Sequence, residues 1–215
     1  DTTAVAVAAA LGADVCEIYS DVDGVYTSDP RLAPAARRLD SVDYDTMLEM
    51  SAAGAKVLKD DAVEYARRLG VRIAAGSSGS GRIGTIVCDE CLNRDTLQAM
   101  VYCDRLRWIA YDAGVPLPAD CRLCQSIDGR TVVVVDEKYA GGMEGVPCCS
   151  LSLIGSRVAA QKERVDGVLD MLERAGNRIL AISSTALKYE IFLEDPLPKP
   201  VAAAIHDALF GVDAT

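Results

Sequence analysis

The chain holds a single histidine, His206, in 215 residues. It lies beside Ile205 and Ala208 in an apolar stretch near the C-terminus, and it reads as a surface or packing residue rather than a catalytic one. Neither G-x-S-x-G nor H-E-x-x-H occurs, so elbow-serine hydrolysis and zinc-protease chemistry are excluded. Cations are also scarce. Lys and Arg number 22 against 32 Asp and Glu, for a formal net charge of -10. No basic stripe is available to neutralise a phosphate backbone or an anionic membrane, so no nucleic-acid or membrane partner is expected. A nucleotide remains compatible, because a few local cations and Mg²⁺ can offset a triphosphate. No apolar run reaches the length of a membrane span. Ala4–Leu11 lacks the basic start and the length of a signal core, and reads as a helix. With no secretion signal, a cytoplasmic location and reduced thiols are expected. Residue 1 is Asp rather than Met, which predicts a fragment or a processed chain.

Half of the residues are hydrophobic and a quarter are charged. This is a globular composition, long enough for one large domain or two small ones. The most informative stretch is Ser20–Arg31, S-D-V-D-G-V-Y-T-S-D-P-R. It follows an apolar run, Val15–Tyr19, that predicts a buried strand, and it turns at Asp23-Gly24 and again at Asp29-Pro30. A polar loop at the carboxyl end of a strand is where open α/β sheets bind ligands. By composition alone it is also an ordinary acidic surface loop.

Further along, Asp43–Ala53 and Asp60–Leu69 read as amphipathic helices, the first with Tyr44, Met47, Leu48 and Met50 inward. Gly54-Ala-Lys-Val-Leu58 is a bend carrying one cation. Val71–Ala75 reads as another strand, so the order strand–helix–helix–strand predicts an α/β layer with parallel pairing. Gly79–Gly84 matches G-x-G-x-x-G, but strand-like residues follow, and the dinucleotide fingerprint must open a helix. It is read as a loop. Beyond Cys88 the pattern changes to strands at Leu97–Tyr102, Thr131–Asp136, Leu151–Ile154, Ile179–Ser183 and Leu187–Leu193. Helices are predicted at Gln161–Ala175, with Val165, Val168, Leu169 and Leu172 on one face, and at Pro200–Leu209. The last unit reads β-α-β-β-α, a ferredoxin-like order.

Eight cysteines are present. Cys88-x-x-Cys91 and Cys121-x-x-Cys124 have the spacing of a four-thiolate Zn²⁺ site, although the gap between the pairs is long and the usual knuckle glycines are absent. Free thiols are the other reading. Cys148 and Cys149 read as buried strand residues.

Two stretches carry a family resemblance. D-T-T-A-V-A-V-A-A-A-L-G-A, then Ser20–Arg31, then G-A-K-V-L resemble the amino-acid kinase family, aspartate kinases most closely. L-S-L-I-G, a helix ending A-G, and then I-S-S-T-A-L-K resemble the second ACT module of those enzymes. The resemblance implies an α/β fold: the C-terminal half of an amino-acid kinase sandwich over residues 1–88, then ferredoxin-like (βαββαβ) ACT-type modules. A shortened first module would span 89–148 and a second 149–215. It implies transfer of the ATP γ-phosphoryl group to the side-chain carboxylate of L-aspartate. ATP and Mg²⁺ would be the cofactors, lysine or threonine a possible effector, and a homo-oligomer would form through the ACT modules. By the same resemblance Asp1 would order the catalytic machinery. Ser20 and Asp21 would meet the adenosine, and Tyr26, Thr27, Ser28, Asp29, Pro30 and Arg31 would wrap the nucleotide, with Arg31 near the phosphates. Lys56 and Val57 would lie close by, and Ser156, Arg157, Val158, Asn177, Arg178 and Ser183 would form an effector site.

The sequence departs from the family in several places. The family's lysine-loop lobe is absent from it, so the 215 residues alone are expected to be inactive. Lys59-Asp60-Asp61 stands in place of the family's H-P-R. Arg178 stands where the family has a pocket Asn, which predicts weak or altered feedback inhibition. The alternative function is a non-catalytic ACT-bearing regulatory subunit or decayed paralogue. A glutamate- or uridylate-kinase relative fits less well, because those families lack the ACT-like C-terminus. A zinc-binding interaction module is the remaining alternative.

Overall fold

The computed structural model describes residues 1–89, 97–112, 117–118, 120–127, 130–141 and 143–211. Helix α1 (Thr2–Ala10) is apolar on every side, and Gly12, at φ +66°, lets the chain reverse into strand β1 (Val15–Ser20). Val5 and Ala8 pack on Cys16 and Ile18, which brings Asp1 back to the carboxyl end of β1.

After the loop come β2 (Ser41–Asp43), α2 (Tyr44–Ala53), α3 (Asp60–Leu69), β3 (Arg72–Ser77) and β4 (Ile83–Cys88). The Asp43 carboxylate caps α2 by accepting from the Thr46 amide at 2.8 Å, and left-handed Gly54 ends the helix. Helix α3 starts on Asp60 and Asp61, ends on Arg67 and Arg68, and stops at left-handed Gly70. That charge order suits the helix dipole. The expected inward residues are in place: Tyr44, Met47 and Met50 are buried, and Leu48 partly so.

The first sheet has the order β1-β3-β4-β2. β1 and β3 pair in parallel, as the alternation of elements requires, and β3 and β4 form an antiparallel hairpin. The G-x-G-x-x-G run is the turn of that hairpin and the start of β4. The Gly81 amide closes the turn on the Ser77 carbonyl at 2.8 Å, and no helix follows.

The second sheet contains β5 (Leu97–Tyr111), β6 (Cys121–Ile127), β7 (Arg130–Asp136), β8 (Val146–Gly155), β9 (Ile179–Ser184) and β10 (Lys188–Leu193). Its order is β6-β7-β5-β8-β10-β9, antiparallel throughout. Helices α4 (Lys162–Arg174) and α5 (Lys199–Phe210) bury Val165, Val168, Leu172, Ile205 and Leu209 against Leu151, Leu153, Ile191 and Leu193. β5-β8-β10-β9 with two helices on one face is the ferredoxin-like order. Its outer position is filled by β5, which comes from earlier in the chain.

One sequence expectation is corrected here. The strand predicted at Leu97–Tyr102 continues to Tyr111. The reason is a bulge at Cys103–Leu106, where β5 passes from its β8 pairing to its β7 pairing. The bend folds the β6–β7 hairpin over the remaining face of β8 and β10. Arg122 of β6 thereby reaches within 3.3 Å of Glu190 of β10, although three strands separate them in the order. The same face receives α2, so Met50 and Ala53 share a core with Ala99, Val101 and Ile154. Among the described residues no helix is long and apolar enough to cross a membrane.

Candidate functional site

In the first layer α1 and α3 each precede one of two parallel strands. The helix N-termini and the strand carboxyl ends therefore gather at one end. Asp1 stands there at the start of α1, and the bend after α2 delivers Lys56, Val57, Lys59 and Asp60. These residues form one wall of a cavity of about 890 Å³. The opposite wall comes from the second sheet: Cys103 and Arg105 of β5, Cys121 and Arg122 of β6, Asp136 of β7, and Lys138 and Tyr139 just beyond it. Charged side chains of both signs, Asp1, Lys56, Lys59 and Asp60 on one wall and Arg105, Arg122, Asp136 and Lys138 on the other, share the lining with small and apolar residues such as Ala52, Val57 and Leu58.

The bend bearing Lys56 is tied at both ends. The Ser51 hydroxyl donates to the Leu58 carbonyl at 2.9 Å, and Arg122 donates to the Ala53 carbonyl at 3.1 Å. Arg122 also contacts Asp136 at 3.2 Å and Glu190 at 3.3 Å, while Lys188 joins Glu49 of α2 to Glu190. Glu190 is fully buried.

The Ser20–Arg31 loop is distributed differently from its sequence reading. Ser20 accepts from the Ser78 amide through its carbonyl at 2.8 Å, and Asp21 is exposed at the strand end. The Tyr26 hydroxyl donates to Asp23 at 2.8 Å, which holds the Asp23 carboxyl below its ordinary range. Asp29 accepts a forked pair from Arg31, which lowers its pKa and leaves the guanidinium in solvent. Thr27 and Ser28, by contrast, are turned inward. Thr27 Oγ1 accepts from the Arg37 amide at 3.0 Å and meets His206 Nε2 of α5 at 2.9 Å. The Thr27 carbonyl accepts from the Met100 amide of β5 at 2.7 Å. Arg37 further donates to the Phe210 carbonyl at 2.6 Å. Thr27 is therefore a pin between the loop and the second sheet. Asp1, Lys56 and Val57 share the cavity, and none of Ser20–Arg31 lines it.

His206 is buried rather than on the surface, and its ring stacks on Phe210 at 4.8 Å. Burial lowers its pKa, outweighing the Asp207 carboxylate 3.6 Å away; Arg37 pushes in the same direction as burial. With its folded pKa below the unfolded value of about 6.5, the unfolded chain binds more protons in the window between the two. The stability from this histidine is thus complete above that window and is lost as pH falls through it. In urea titrations from about pH 7 down to about pH 5, the wild type should lose stability relative to His206→Gln. Parallel pH profiles for the two proteins would reject this.

The effector residues are not brought together. The β8–α4–β9 crossover sets Asn177 and Arg178 at the end of the sheet near Cys149 and Leu193. Ser156–Val158 and Ser183 lie at the other end. Val158 is buried in the helix-covered core, and Arg178 is paired with Glu194 at 2.9 Å.

Of the four cysteines expected as a Zn²⁺ site, Cys91 lies outside the described residues. Cys88 ends β4, and Cys121 and Cys124 lie along extended β6, about 10 Å apart at three residues of strand rise. Among the described residues no three His, Cys, Asp or Glu side chains gather as a metal site. Cys148 and Cys149 are buried in β8, which pushes their thiols up to about 12 and about 11, so neither is a ready nucleophile.

Arg122, Asp136 and Glu190 went unnoticed in the sequence. The usable signals were a charged residue opening β6 and another closing the four-valine strand. Neither signal has meaning until the hairpin folds over.

Residues 1–75 match the amino acid kinase family model. The chain is 35% identical to an aspartokinase of Mycolicibacterium smegmatis over 99% of its own length and 60% of that protein's. Over 40% of the chain it is 61% identical to an aspartokinase of Mycobacterium tuberculosis, covering 21% of that protein. It thus spans less than two thirds of the length of these relatives. In fold it resembles Escherichia coli aspartokinase III, solved in complex with aspartate and ADP. The TM-score is 0.81 at 21% identity, over 97% of this chain and 55% of that one. The resemblance to aspartate kinases and the α/β fold class read from the sequence are borne out.

Proposed function

We propose that this chain is part of an aspartate kinase. It would bind ATP at the end of the first layer and direct the γ-phosphoryl group to the side-chain carboxylate of L-aspartate. The bond from the γ-phosphorus to the β-phosphate oxygen breaks, a bond to the carboxylate oxygen forms, and ADP and 4-phospho-L-aspartate leave. Such transfer needs positioning and charge stabilisation more than covalent help. The observation that carries the reading is the cavity shared by Asp1 and Lys56, within the stretch that matches the amino acid kinase family. Lys56 offers its ammonium to phosphate oxygens. Ser20 and Asp21, at the end of β1, suit hydrogen bonds to a nucleoside.

Mg²⁺ in kinases is held by one or two carboxylates plus the phosphates, so Asp1, with Asp60 on the same wall, fits the ion without a preformed cage. When bound, it would neutralise phosphate charge. We assign residues 1–88 to the nucleotide-binding part and the single sheet over 97–210 to a regulatory part of ACT type, into which both predicted modules are woven. Its β9 edge, with Ile182 exposed, suits pairing with a second copy.

Calorimetric titration with ADP and Mg²⁺ tests the proposal. Saturable binding is expected, weakened about tenfold by Lys56→Ala, the scale of one charge-assisted contact. Absence of binding, or binding indifferent to that substitution, would overturn it.

A further inference from the structure

Arg122 sits where the two sheets meet, and its side chain is only 9% exposed. Its guanidinium joins four elements. It donates to the Ala53 carbonyl at the end of α2, to Glu190 on β10, to Asp136 on β7, and to the Cys103 sulfur on β5 at 3.7 Å. The last carbonyls of a helix have no partner within the helix, and a donor placed there fixes how the chain leaves it. Here the chain leaves through Gly54, at φ +114°. A Cβ on that residue would stand 3.4 Å from Cys103 and 3.8 Å from Arg122. Two residues later comes Lys56. The exit of α2 is therefore closed in by the second sheet, and the direction of the Lys56 bend is set by a residue from another part of the chain. Glu190 in turn holds the guanidinium from a position without solvent, with Lys188 on its far side.

We infer that Arg122 is a positioning residue for the phosphate-binding bend: anchored by Glu190 and Asp136, it caps α2 and aims residues 54–58 into the cavity. This rests on the proposed nucleotide site and adds to it a residue whose guanidinium is engaged by protein partners on four elements. It also implies that any shift of β6 against α2 moves Lys56. A lysine in place of Arg122 keeps the charge near Glu190. It cannot span the helix carbonyl and two carboxylates at once, because it lacks the planar fork.

The test compares wild type, Arg122→Lys and the double variant Arg122→Met/Glu190→Met, which leaves no unpaired buried charge. Amide hydrogen exchange is read at residues 55–58 and, as a control, in α5; ADP affinity is measured in parallel. Exchange at 55–58 should rise at least tenfold in both variants with α5 unchanged, and ADP should bind more weakly to Arg122→Lys. Unchanged exchange at 55–58 would overturn the inference. So would a uniform rise that includes α5, or loss of the folded far-ultraviolet spectrum in both variants, since Arg122 would then support the fold as a whole. If exchange responds as expected but wild type binds no ADP, the nucleotide reading fails and the capping role stands. If wild type binds ADP and Arg122→Lys binds it equally tightly, the positioning role fails.

Discussion

Gly84→Ala should lower stability by about 3 kcal/mol and release the loop that follows β1. Gly84 lies in β4 under the Asp23–Gly24 turn. A Cβ there would stand 1.7 Å from the Asp23 carbonyl oxygen and 2.9 Å from Arg38 Cδ. The first of these is a backbone atom and cannot swing aside. The turn would have to lift, and the adjacent staple would go with it. Thr85 is fully buried; its hydroxyl accepts from the Val25 amide at 2.8 Å and donates to the Leu39 carbonyl at 2.6 Å. A lifted loop also strains the Thr27–His206 contact. Gly81→Ala is the control. It has φ +66° and nothing within 4 Å, so only backbone strain of about 1 kcal/mol is expected. Urea unfolding of both variants checks the pair. Equal losses in the two would show that the close approach of Asp23 does not matter.

The second large effect concerns the buried ion pair. Arg122→Met should cost about 3 kcal/mol, because it removes one of the two cations, each 3.3 Å away, that face Glu190 in a place water does not reach. Lys188 remains beside Glu190 and softens the loss. Arg122→Met/Glu190→Met should return to within about 1 kcal/mol of wild type, since a well-packed apolar pair often replaces a buried ionic one without penalty. The hydroxyls of Ser150 and Ser152, without a hydrogen-bond partner among the described residues, make the face around Glu190 polar and keep the double variant from gaining stability outright. A thermodynamic cycle over the two single variants and the double one measures the coupling. A single-variant cost under about 1 kcal/mol would mean that Arg122 and Glu190 interact weakly despite their burial.

The helices were legible from local chemistry. Asp43 and Gly54 bracket α2, Gly70 closes α3, and Val165, Val168 and Leu172 mark the buried stripe of α4. In each case the signal and the structure it dictates lie within a few residues of one another. The parallel pairing of β1 and β3 followed from the elements between them. The kinase-like resemblance of Ser20–Arg31 and of the Lys56 bend was likewise readable from motifs.

What the loop does was not readable. Thr27 sits in a motif that resembles a nucleotide-wrapping stretch, yet its hydroxyl is spent on His206, 179 residues away. In the sequence His206 reads as either a surface or a packing residue, and only the docking of α5 shows it buried and paired with Thr27. The effector residues fail to converge because a crossover helix separates the two ends of a sheet, which no spacing reveals.

The sequence by itself determined the periodic faces, the caps and turns, and the family likeness, because each depends on neighbours along the chain. Only the tertiary structure decided how the sheet closes. The bulge in β5 swings the β6–β7 hairpin over β8 and β10, and this sets Arg122 against a carboxylate 68 residues away and against the end of α2. A buried charge is tolerated only where a partner meets it, and that meeting is a property of the folded sheet and not of either stretch of sequence.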